Sequence, residues 1–326
     1  MKRIFGKRIS QKNISQKSIS QKRMNPVVSA LLIGILVGSQ LLLGGCFAEN
    51  SGEALTLGSP KVAPPAIATE GVLRVGVDSS HAPFAVLSDD DVLTGIDIDI
   101  AAALADDLGL RLELVDMIGQ DASTLLSEGS IDVIMDIRAD DLTAPVAAQV
   151  GPYLVDGPAI FTVGLSNTAG SFDLATLNGM RVSAYEGSLS AWQIGELYGE
   201  DWVDTYPTLN EAFDALNSGT VSYAAADAVI GSFLAVTYDN IDCVALLTDP
   251  SGIYMGVGIS NLELLDTLQG SLRAIRDNGV LGVITNMWLG PVSASVVSSN
   301  QAIVSLDPGT SGADIGADLP DPSNAG

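Results

Sequence analysis

Basic residues are scarce in this chain of 326 residues once its N-terminus is passed. Eight of the 15 lysines and arginines lie within the first 23 positions, and no acidic residue precedes position 49. From position 46 onward, seven basic residues face 39 acidic ones, which gives a net charge of −32 (7 − 39). A body this acidic repels phosphate backbones and anionic surfaces, so the composition argues against nucleic-acid binding.

Residues that ligate metals or form disulfides are also few, with two cysteines and one histidine. Cys243 lies in an apolar run without a basic neighbour in sequence, so we expect a buried small hydrophobe and not a thiolate nucleophile. Glycine-rich phosphate loops, clustered His/Cys ligands and EF-hand spacing are missing. We therefore expect neither a metal nor another cofactor.

The first 45 residues have the pattern of an export signal. A basic stretch precedes an apolar run, Val27 to Leu43, which ends at Leu43-Gly44-Gly45-Cys46. This ending resembles the lipobox of bacterial lipoproteins, which implies cleavage before Cys46 and attachment of lipid (palmitate) to it. Lipidation would leave Cys243 without a disulfide partner. The alternative is an uncleaved membrane anchor, since the run is close to the minimum spanning length. The true start stays open between Met1 and Met24.

The rest of the chain divides into a body and two flexible ends. Residues 46–68 are rich in Gly, Pro, Ala and Ser and predict a flexible stalk, while 301–326 predict a disordered tail. Between them, strand-like and helix-like segments alternate. Ile100, Leu104 and Leu108 share one helical face, and Gly109 follows as a helix-ending residue. The alternation predicts an α/β architecture in two lobes, the second starting near Asp173.

A series of short motifs in order resembles the bacterial extracellular solute-binding proteins of family 3, the polar amino-acid binding group of ABC importers. The motifs include Leu73-Arg74-Val75-Gly76-Val77, Ala82-Pro83-Phe84, Gly95-Ile96-Asp97-Ile98-Asp99-Ile100, Ile131-Asp132-Val133-Ile134, Gly151-Pro152-Tyr153, Glu186-Gly187-Ser188, Ala226-Asp227 and Trp288-Leu289-Gly290. The resemblance spans roughly residues 73–290.

The resemblance implies a periplasmic-binding-protein type II-like fold, with two Rossmann-like lobes joined by a two-strand hinge. Lobe 1 would comprise residues 69–163 plus 254–300, and lobe 2 residues 164–253. The hinge would fall near Val163-Gly164 and Tyr254-Met255. Such a protein is expected to act as a monomer outside the cytoplasmic membrane or in the periplasm. It would close on a small-molecule ligand and deliver it to an ABC permease.

Three candidate site residues lie in the loop after the first strand. His81, the single histidine, occupies the position where the family carries an aromatic that stacks on the ligand; the alternative is a solvated loop histidine. Asp78 is a candidate contact for a ligand side chain, or else a solvated turn carboxylate. Phe84 is a candidate contact, although a core position is the more usual role.

Two further candidates lie in lobe 2. Asp227 matches the family's acidic partner for a ligand ammonium, and its alternative role is the N-cap of the following helix. Ser188 matches the turn whose hydroxyl and backbone amides hold a ligand carboxylate, although helix capping alone would also explain it.

The chain departs from the family where a Thr and an Arg normally clamp the α-carboxylate. Counting from Asp132 without a gap, those positions are Asp140 and Thr143, so the bidentate clamp is missing. Arg138 is a candidate substitute, or else a surface arginine. Asp136 is a further candidate site residue. Together with Asp78 and Asp227 it gives three acidic residues against this one arginine in the expected cleft. We therefore hypothesise a small polar ligand, an amino acid or a derivative, that carries an amine or a net positive charge; whether it has a free α-carboxylate stays open.

Two other functions remain open on the same fold. A dehydratase of the cyclohexadienyl type would need an acid and a base close together, which His81 and a carboxylate would supply. A sensory or interaction module would bind a ligand and signal to a partner.

Overall fold

The computed structural model describes residues 58–138, 147–164 and 172–298. The predicted signal segment 1–45, the predicted lipidation site Cys46 and the predicted tail 301–326 lie outside these residues. So do Asp140 and Thr143 of the missing clamp.

Twelve strands and eight α-helices are found in the described residues. The strands are β1 (Val72–Val77), β2 (Val86–Leu87), β3 (Leu93–Thr94), β4 (Arg111–Asp116), β5 (Val133–Arg138), β6 (Ala147–Asp156), β7 (Pro158–Val163), β8 (Val182–Tyr185), β9 (Val203–Tyr206), β10 (Tyr223–Asp227), β11 (Ile241–Leu246) and β12 (Ser251–Gly258). The helices are α1 (Ile96–Leu108), α2 (Ala122–Ser127), α3 (Leu189–Tyr198), α4 (Leu209–Asn217), α5 (Ala228–Ala235), α6 (Leu262–Asp277), α7 (Val280–Leu289) and α8 (Pro291–Ser298).

Two five-stranded sheets confirm the predicted α/β fold with two lobes. The sheet of lobe 1 has the order β4-β1-β5-β12-β6, and that of lobe 2 has the order β11-β7-β10-β8-β9. Three neighbouring strands on one side of each sheet are parallel, β4-β1-β5 in lobe 1 and β10-β8-β9 in lobe 2. Strand β12 in lobe 1 and strand β7 in lobe 2 run antiparallel to both of their neighbours. Helices cover the strands, which accounts for their nearly continuous apolar sequences.

Helix α1 shows how the sequence sets the packing of lobe 1. Ile100, Leu104 and Leu108 are fully buried on one face, and Gly109 ends the helix with φ = 67°. A Cβ on Gly109 would lie 2.6 Å from the carbonyl oxygen of Gly58, so this position needs glycine for space as well as conformation.

The chain passes between the sheets earlier than the sequence predicted. Strand β6 of lobe 1 ends at Asp156, and after Gly157 strand β7 already pairs with β10 and β11 of lobe 2. The return runs between Leu246 and Ser251. The predicted crossings near Val163-Gly164 and Tyr254-Met255 therefore fall inside or at the ends of strands that belong wholly to one sheet. The Gly-Pro pair at 157–158 marks the true break, because proline suits the first residue of a strand.

The C-terminal helix α8 also differs from the prediction, which assigned residues up to 300 to lobe 1. The backbone N–H of Cys243 in β11 donates to Ser293 Oγ of α8 at 3.2 Å. Ala294 and Val296 are buried. Helix α8 therefore packs on β11 of lobe 2 as well as on β6 of lobe 1. Cys243 is fully buried, as expected, and burial raises the pKa of its thiol to about 12.

Residues 58–68 are packed against lobe 1 and are not the flexible stalk that composition predicted. Val62 and Ile67 are buried in its core. The Ala66 carbonyl accepts a 2.8 Å hydrogen bond from Nδ2 of Asn261, whose Oδ1 caps α6 by accepting from the N–H of Leu264. Val62, Ala66 and Ile67 are the buried residues of this segment, and its other residues are exposed. Across the described ranges, none of the helices has the length and apolar character needed to span a membrane.

Candidate ligand-binding site

A cavity of about 470 Å³ opens in lobe 2 where parallel strands end and helices begin. The carboxyl ends of strands in such a sheet are where α/β proteins usually bind ligands. The cavity is lined by Tyr185, Ser188, Ser190, Pro207, Thr208, Leu209, Ala225, Ala226, Asp227 and Ile230.

Asp227 is the one charged residue among these lining residues. It ends β10 and occupies the N-cap position of α5, but its side chain makes no capping hydrogen bond. Instead, Oδ1 accepts from Ser190 Oγ at 3.3 Å. Desolvation, and then the negative charge of Asp156, raise the pKa of Asp227. The residue is exposed to solvent at the cavity wall, and a cation bound there would offset the partial desolvation of its carboxylate.

Ser188 serves as the N-cap of α3, as the capping alternative predicted. Its Oγ accepts from the N–H of Ala191 at 3.1 Å, and the residue also lines the cavity. Thr208 does the same for α4, accepting from the N–H of Glu211 at 3.2 Å. Sequence reasoning missed Thr208 and Ser190, although a Ser or Thr just before an apolar helical run is the usual signal for such a position.

A second polar cluster forms in lobe 1 around Asp136. His81 Nδ1 lies 3.2 Å from Asp136 Oδ2, and Arg138 Nε lies 3.9 Å from Asp136 Oδ1. That Oδ1 is buried without a hydrogen-bond donor among the described residues. Desolvation raises the pKa of Asp136, although Arg138 and His81 oppose the shift. Asp136 also has φ = 55°, a conformation that is strained for a residue other than glycine.

Arg138 forms an ion pair with Asp156, a residue that the sequence did not indicate as part of the site. Both terminal nitrogens of the guanidinium donate to Asp156 Oδ2 at 3.2 Å. The other oxygen, Oδ1, accepts from the N–H groups of Gly157 at 2.9 Å and Val229 at 3.0 Å. Asp156 therefore joins β5 of lobe 1 to the first turn of α5 in lobe 2, next to Asp227. Nothing in the local sequence distinguishes it from other strand-ending acids.

Beneath this cluster lies a buried pair that sequence reasoning also missed. Tyr153 Oη donates to Asp97 Oδ1 at 2.8 Å and accepts from the N–H of Asp136 at 3.1 Å. Asp97 is fully buried, and desolvation followed by the charge of Asp136 raises its pKa well above the usual value. Asp97 thus supports the strained backbone at Asp136 through Tyr153.

The family model of the bacterial extracellular solute-binding proteins, family 3, matches residues 73–291, more than half of the chain. The chain belongs to this family.

Two curated family relatives from Escherichia coli strain K12 are similar over most of their length. ABC transporter arginine-binding protein 1 is 24% identical over 224 residues, which cover 66% of this chain and 90% of that protein. The L-cystine-binding protein TcyJ is 26% identical over 231 residues, covering 68% and 83%. The chain is therefore similar to binding proteins for more than one amino acid.

Solved structures show the same fold at low identity. A polar amino acid ABC uptake transporter substrate-binding protein from Streptococcus thermophilus matches with a TM-score of 0.62 at 21% identity, covering 71% of this chain and 89% of that one. An ancestral cyclohexadienyl dehydratase matches with a TM-score of 0.57 at 22% identity, covering 67% and 92%. The fold is thus shared by binding proteins and by an enzyme.

The remaining predicted residues of this family 3 chain lie in lobe 1, away from the cavity lining. Asp78 Oδ1 accepts from the hydroxyl of Ser80 at 2.6 Å and from its N–H at 2.9 Å, and the side-chain bond leads the causes that lower the pKa of Asp78. This geometry matches the turn-carboxylate alternative. Phe84 is buried in the core, and the guanidinium of Arg138 lies 5.8 Å above its ring. Among the described residues, the cavity lining includes Ser188 and Asp227 but none of the five lobe 1 candidates.

Proposed function

We propose that this chain is the substrate-binding component of an ABC importer and captures a small solute through an amine. One observation carries the proposal. Asp227 presents a carboxylate at the cavity without a cap to serve, while the nearby guanidinium of Arg138 is already paired with Asp156. An ammonium group on the ligand would form a charge-assisted hydrogen bond with Asp227.

The charge balance around the two lobes supports an amine over an acidic ligand. Asp136, Asp156 and Asp227 surround Arg138, and their formal charges sum to −2 (−3 + 1) with His81 neutral. A cation reduces this excess and an anion increases it. We propose that the lobes close on the solute by a hinge at Gly157 and the segment 247–250, which removes the contacts from water and strengthens them.

The test is a thermal-shift screen of the purified protein against amines, polyamines and amino acids, followed by calorimetric titration of each hit. A solute that binds only the folded protein raises the melting temperature by mass action. We expect shifts from solutes that carry an amine and none from dicarboxylates. Tight binding of glutamate or aspartate, with no amine bound better, would contradict the proposed ligand class.

A second function, a dehydratase of the cyclohexadienyl type, is favoured by one contact. His81 and Asp136 are 3.2 Å apart, which is the distance expected for an acid-base pair. Incubation with a cyclohexadienyl substrate, followed by ultraviolet absorbance for the aromatic product, tests it. Turnover that disappears in His81→Gln would establish this function and displace the transport proposal.

We further propose that Cys46 carries the lipid that anchors the protein at the outer face of the membrane. A Cys46→Ala variant should lose incorporation of labelled palmitate and should not be cleaved at this site. If labelling and processing are unchanged in the variant, the lipobox assignment is wrong. If wild type is unlabelled and retains its full mass in the membrane fraction, the anchor is the apolar segment itself.

A further inference from the structure

The cavity in lobe 2 is mostly apolar. Capture of a solute through an amine does not by itself require an apolar wall, so this feature restricts the ligand further. Six of its ten lining residues are apolar or aromatic: Tyr185, Pro207, Leu209, Ala225, Ala226 and Ile230. A ligand that was polar throughout would lose its hydration against this wall without compensation. An apolar body would be stabilised there in proportion to the area it buries.

Large apolar side chains are exposed at this edge of lobe 2. Tyr185 is 47% exposed and Ile230 is 43% exposed, and both line the cavity. Leu189 and Trp192, in the first turn of α3 directly after Ser188, are 55% and 62% exposed. Exposed apolar side chains grouped around a cavity are typical of a ligand-binding surface. Leu189 and Trp192 do not line the cavity, but they directly follow or lie one helical turn after Ser188, which does.

Among the residues that line the cavity, the polar side chains supply one carboxylate, three hydroxyls besides that of Tyr185, and no cationic group to pair with a ligand carboxylate. Ser188 and Thr208 each accept a backbone N–H as helix caps, and Ser190 donates to Asp227. The hydroxyl hydrogens of the two caps remain able to donate to a ligand hydroxyl. They bear no charge, and the guanidinium of Arg138 is held by Asp156.

From these observations, and resting on the proposed amine-binding function, we propose that the ligand is a primary amine with an apolar, ring-sized body and no carboxylate. The ammonium binds Asp227. The apolar body lies against Tyr185, Pro207 and Ile230. A cavity of about 470 Å³ has room for such a molecule.

Four probes that differ in one feature at a time test the proposal by calorimetric titration. Phenethylamine has the amine and the apolar ring, L-phenylalanine adds a carboxylate, ethanolamine lacks the ring, and L-serine lacks the ring and adds the carboxylate. We expect phenethylamine to bind at least tenfold more tightly than each of the other three.

Equal or tighter binding of ethanolamine or L-serine would overturn the apolar assignment while leaving amine recognition intact. Tighter binding of L-phenylalanine would overturn the exclusion of carboxylates. If none of the four binds, both the inference and the amine-binding proposal fail.

A variant of the cavity wall separates an apolar contact from a general effect on folding. Ile230→Ser shortens an exposed side chain in α5, and we expect it to weaken phenethylamine binding roughly fivefold to tenfold. Binding of ethanolamine should change less than twofold. Val236→Ser is the matched control, because Val236 is also exposed at the end of α5 but does not line this cavity. Equal effects of the two variants on phenethylamine would contradict the proposal.

Discussion

The two lobes present different chemistry to a ligand. In lobe 1, His81, Asp136 and Arg138 contact one another, and Arg138 is also bound by Asp156. In lobe 2, Asp227 is the one charge in a largely apolar wall, and its partner is a single serine hydroxyl. The difference teaches that charged side chains near a cleft are not equivalent. Those of lobe 1 mainly hold one another in place, while that of lobe 2 is available to a ligand.

Asp156 connects these two regions. One carboxylate oxygen binds Arg138 of lobe 1, and the other binds the first turn of α5 beside Asp227. Its side chain is only 6% exposed, so both sets of contacts are protected from water. A change in the pairing of Arg138 is therefore expected to reach the wall of the lobe 2 cavity.

The largest expected effect comes from removing the charge in lobe 2. Asp227→Asn keeps an acceptor for Ser190 but loses the ion pair with a ligand ammonium. We expect roughly 10- to 100-fold weaker binding of the best amine found in the screen, since hydrogen bonds to charged groups contribute about 1.5–3 kcal/mol. Calorimetric titration measures it. Asp201→Asn, exposed elsewhere in lobe 2, is the control and should bind as wild type does. Unchanged binding by the Asp227 variant would remove the distinction between the lobes.

The second largest effect is a loss of stability when the hydrogen-bond network of lobe 1 is broken. Tyr153→Phe deprives Asp97 and the N–H of Asp136 of their partner. We expect a loss of about 1–3 kcal/mol in the free energy of unfolding, because buried polar groups are left unsatisfied. Urea denaturation measures it. Tyr254→Phe, in β12 of the same lobe, is the control, since its hydroxyl makes no hydrogen bond to any described residue. A loss no larger than that of the control would show that the lobe 1 network contributes nothing to stability.

The pH dependence of stability tests the protonation of Asp97. Burial and the charge of Asp136 raise the pKa of Asp97, while Tyr153 and Arg138 oppose the shift. The folded state therefore holds a proton that the unfolded state releases above its usual pKa of 3.8. This contribution to stability is lost as the pH rises from that value through the folded pKa. Asp97→Asn stays neutral, so its stability relative to wild type should increase from pH 4 upward in urea denaturation series. A difference that is constant with pH would show that Asp97 has the same pKa in both states.

The sequence was sufficient for the fold class and for those features that depend on local chemistry. The apolar face of α1 and its ending at Gly109 were predicted because period and glycine conformation act within a few residues. The N-cap positions at Ser188 and Asp227 were also predicted from the local sequence, although only Ser188 caps its helix through its side chain. These features need no knowledge of distant parts of the chain.

The features that sequence reasoning missed depend on contacts between distant residues. The role of Asp156 arises from Arg138, 18 positions away, and from Val229, 73 positions away. Residues 58–68 were predicted to be flexible from composition, but hydrogen bonds to Leu108 and Asn261 tie them to lobe 1. Asp97 and Tyr153 are 56 positions apart and looked like ordinary motif residues. Partners separated this far leave no pattern in a single sequence.

The smallest expected effect would make lobe 1 behave more like a carboxylate-binding site. Asp156→Asn keeps an acceptor for the N–H groups of Gly157 and Val229, but it releases the guanidinium of Arg138. A freed arginine can meet a ligand carboxylate, so we expect the affinity for L-phenylalanine to rise roughly threefold to fivefold relative to phenethylamine. Calorimetric titration of both compounds measures this ratio.

The matched control for that ratio is Asp204→Asn, which releases Arg181 from its 3.0 Å ion pair elsewhere in lobe 2. It frees an arginine of the same kind away from the cavity, so it should leave the ratio unchanged. If Asp156→Asn weakens both ligands equally, Asp156 only maintains the position of α5. If the ratio shifts toward the amino acid, the preference of this protein for amines depends on the pairing of Arg138 as well as on Asp227.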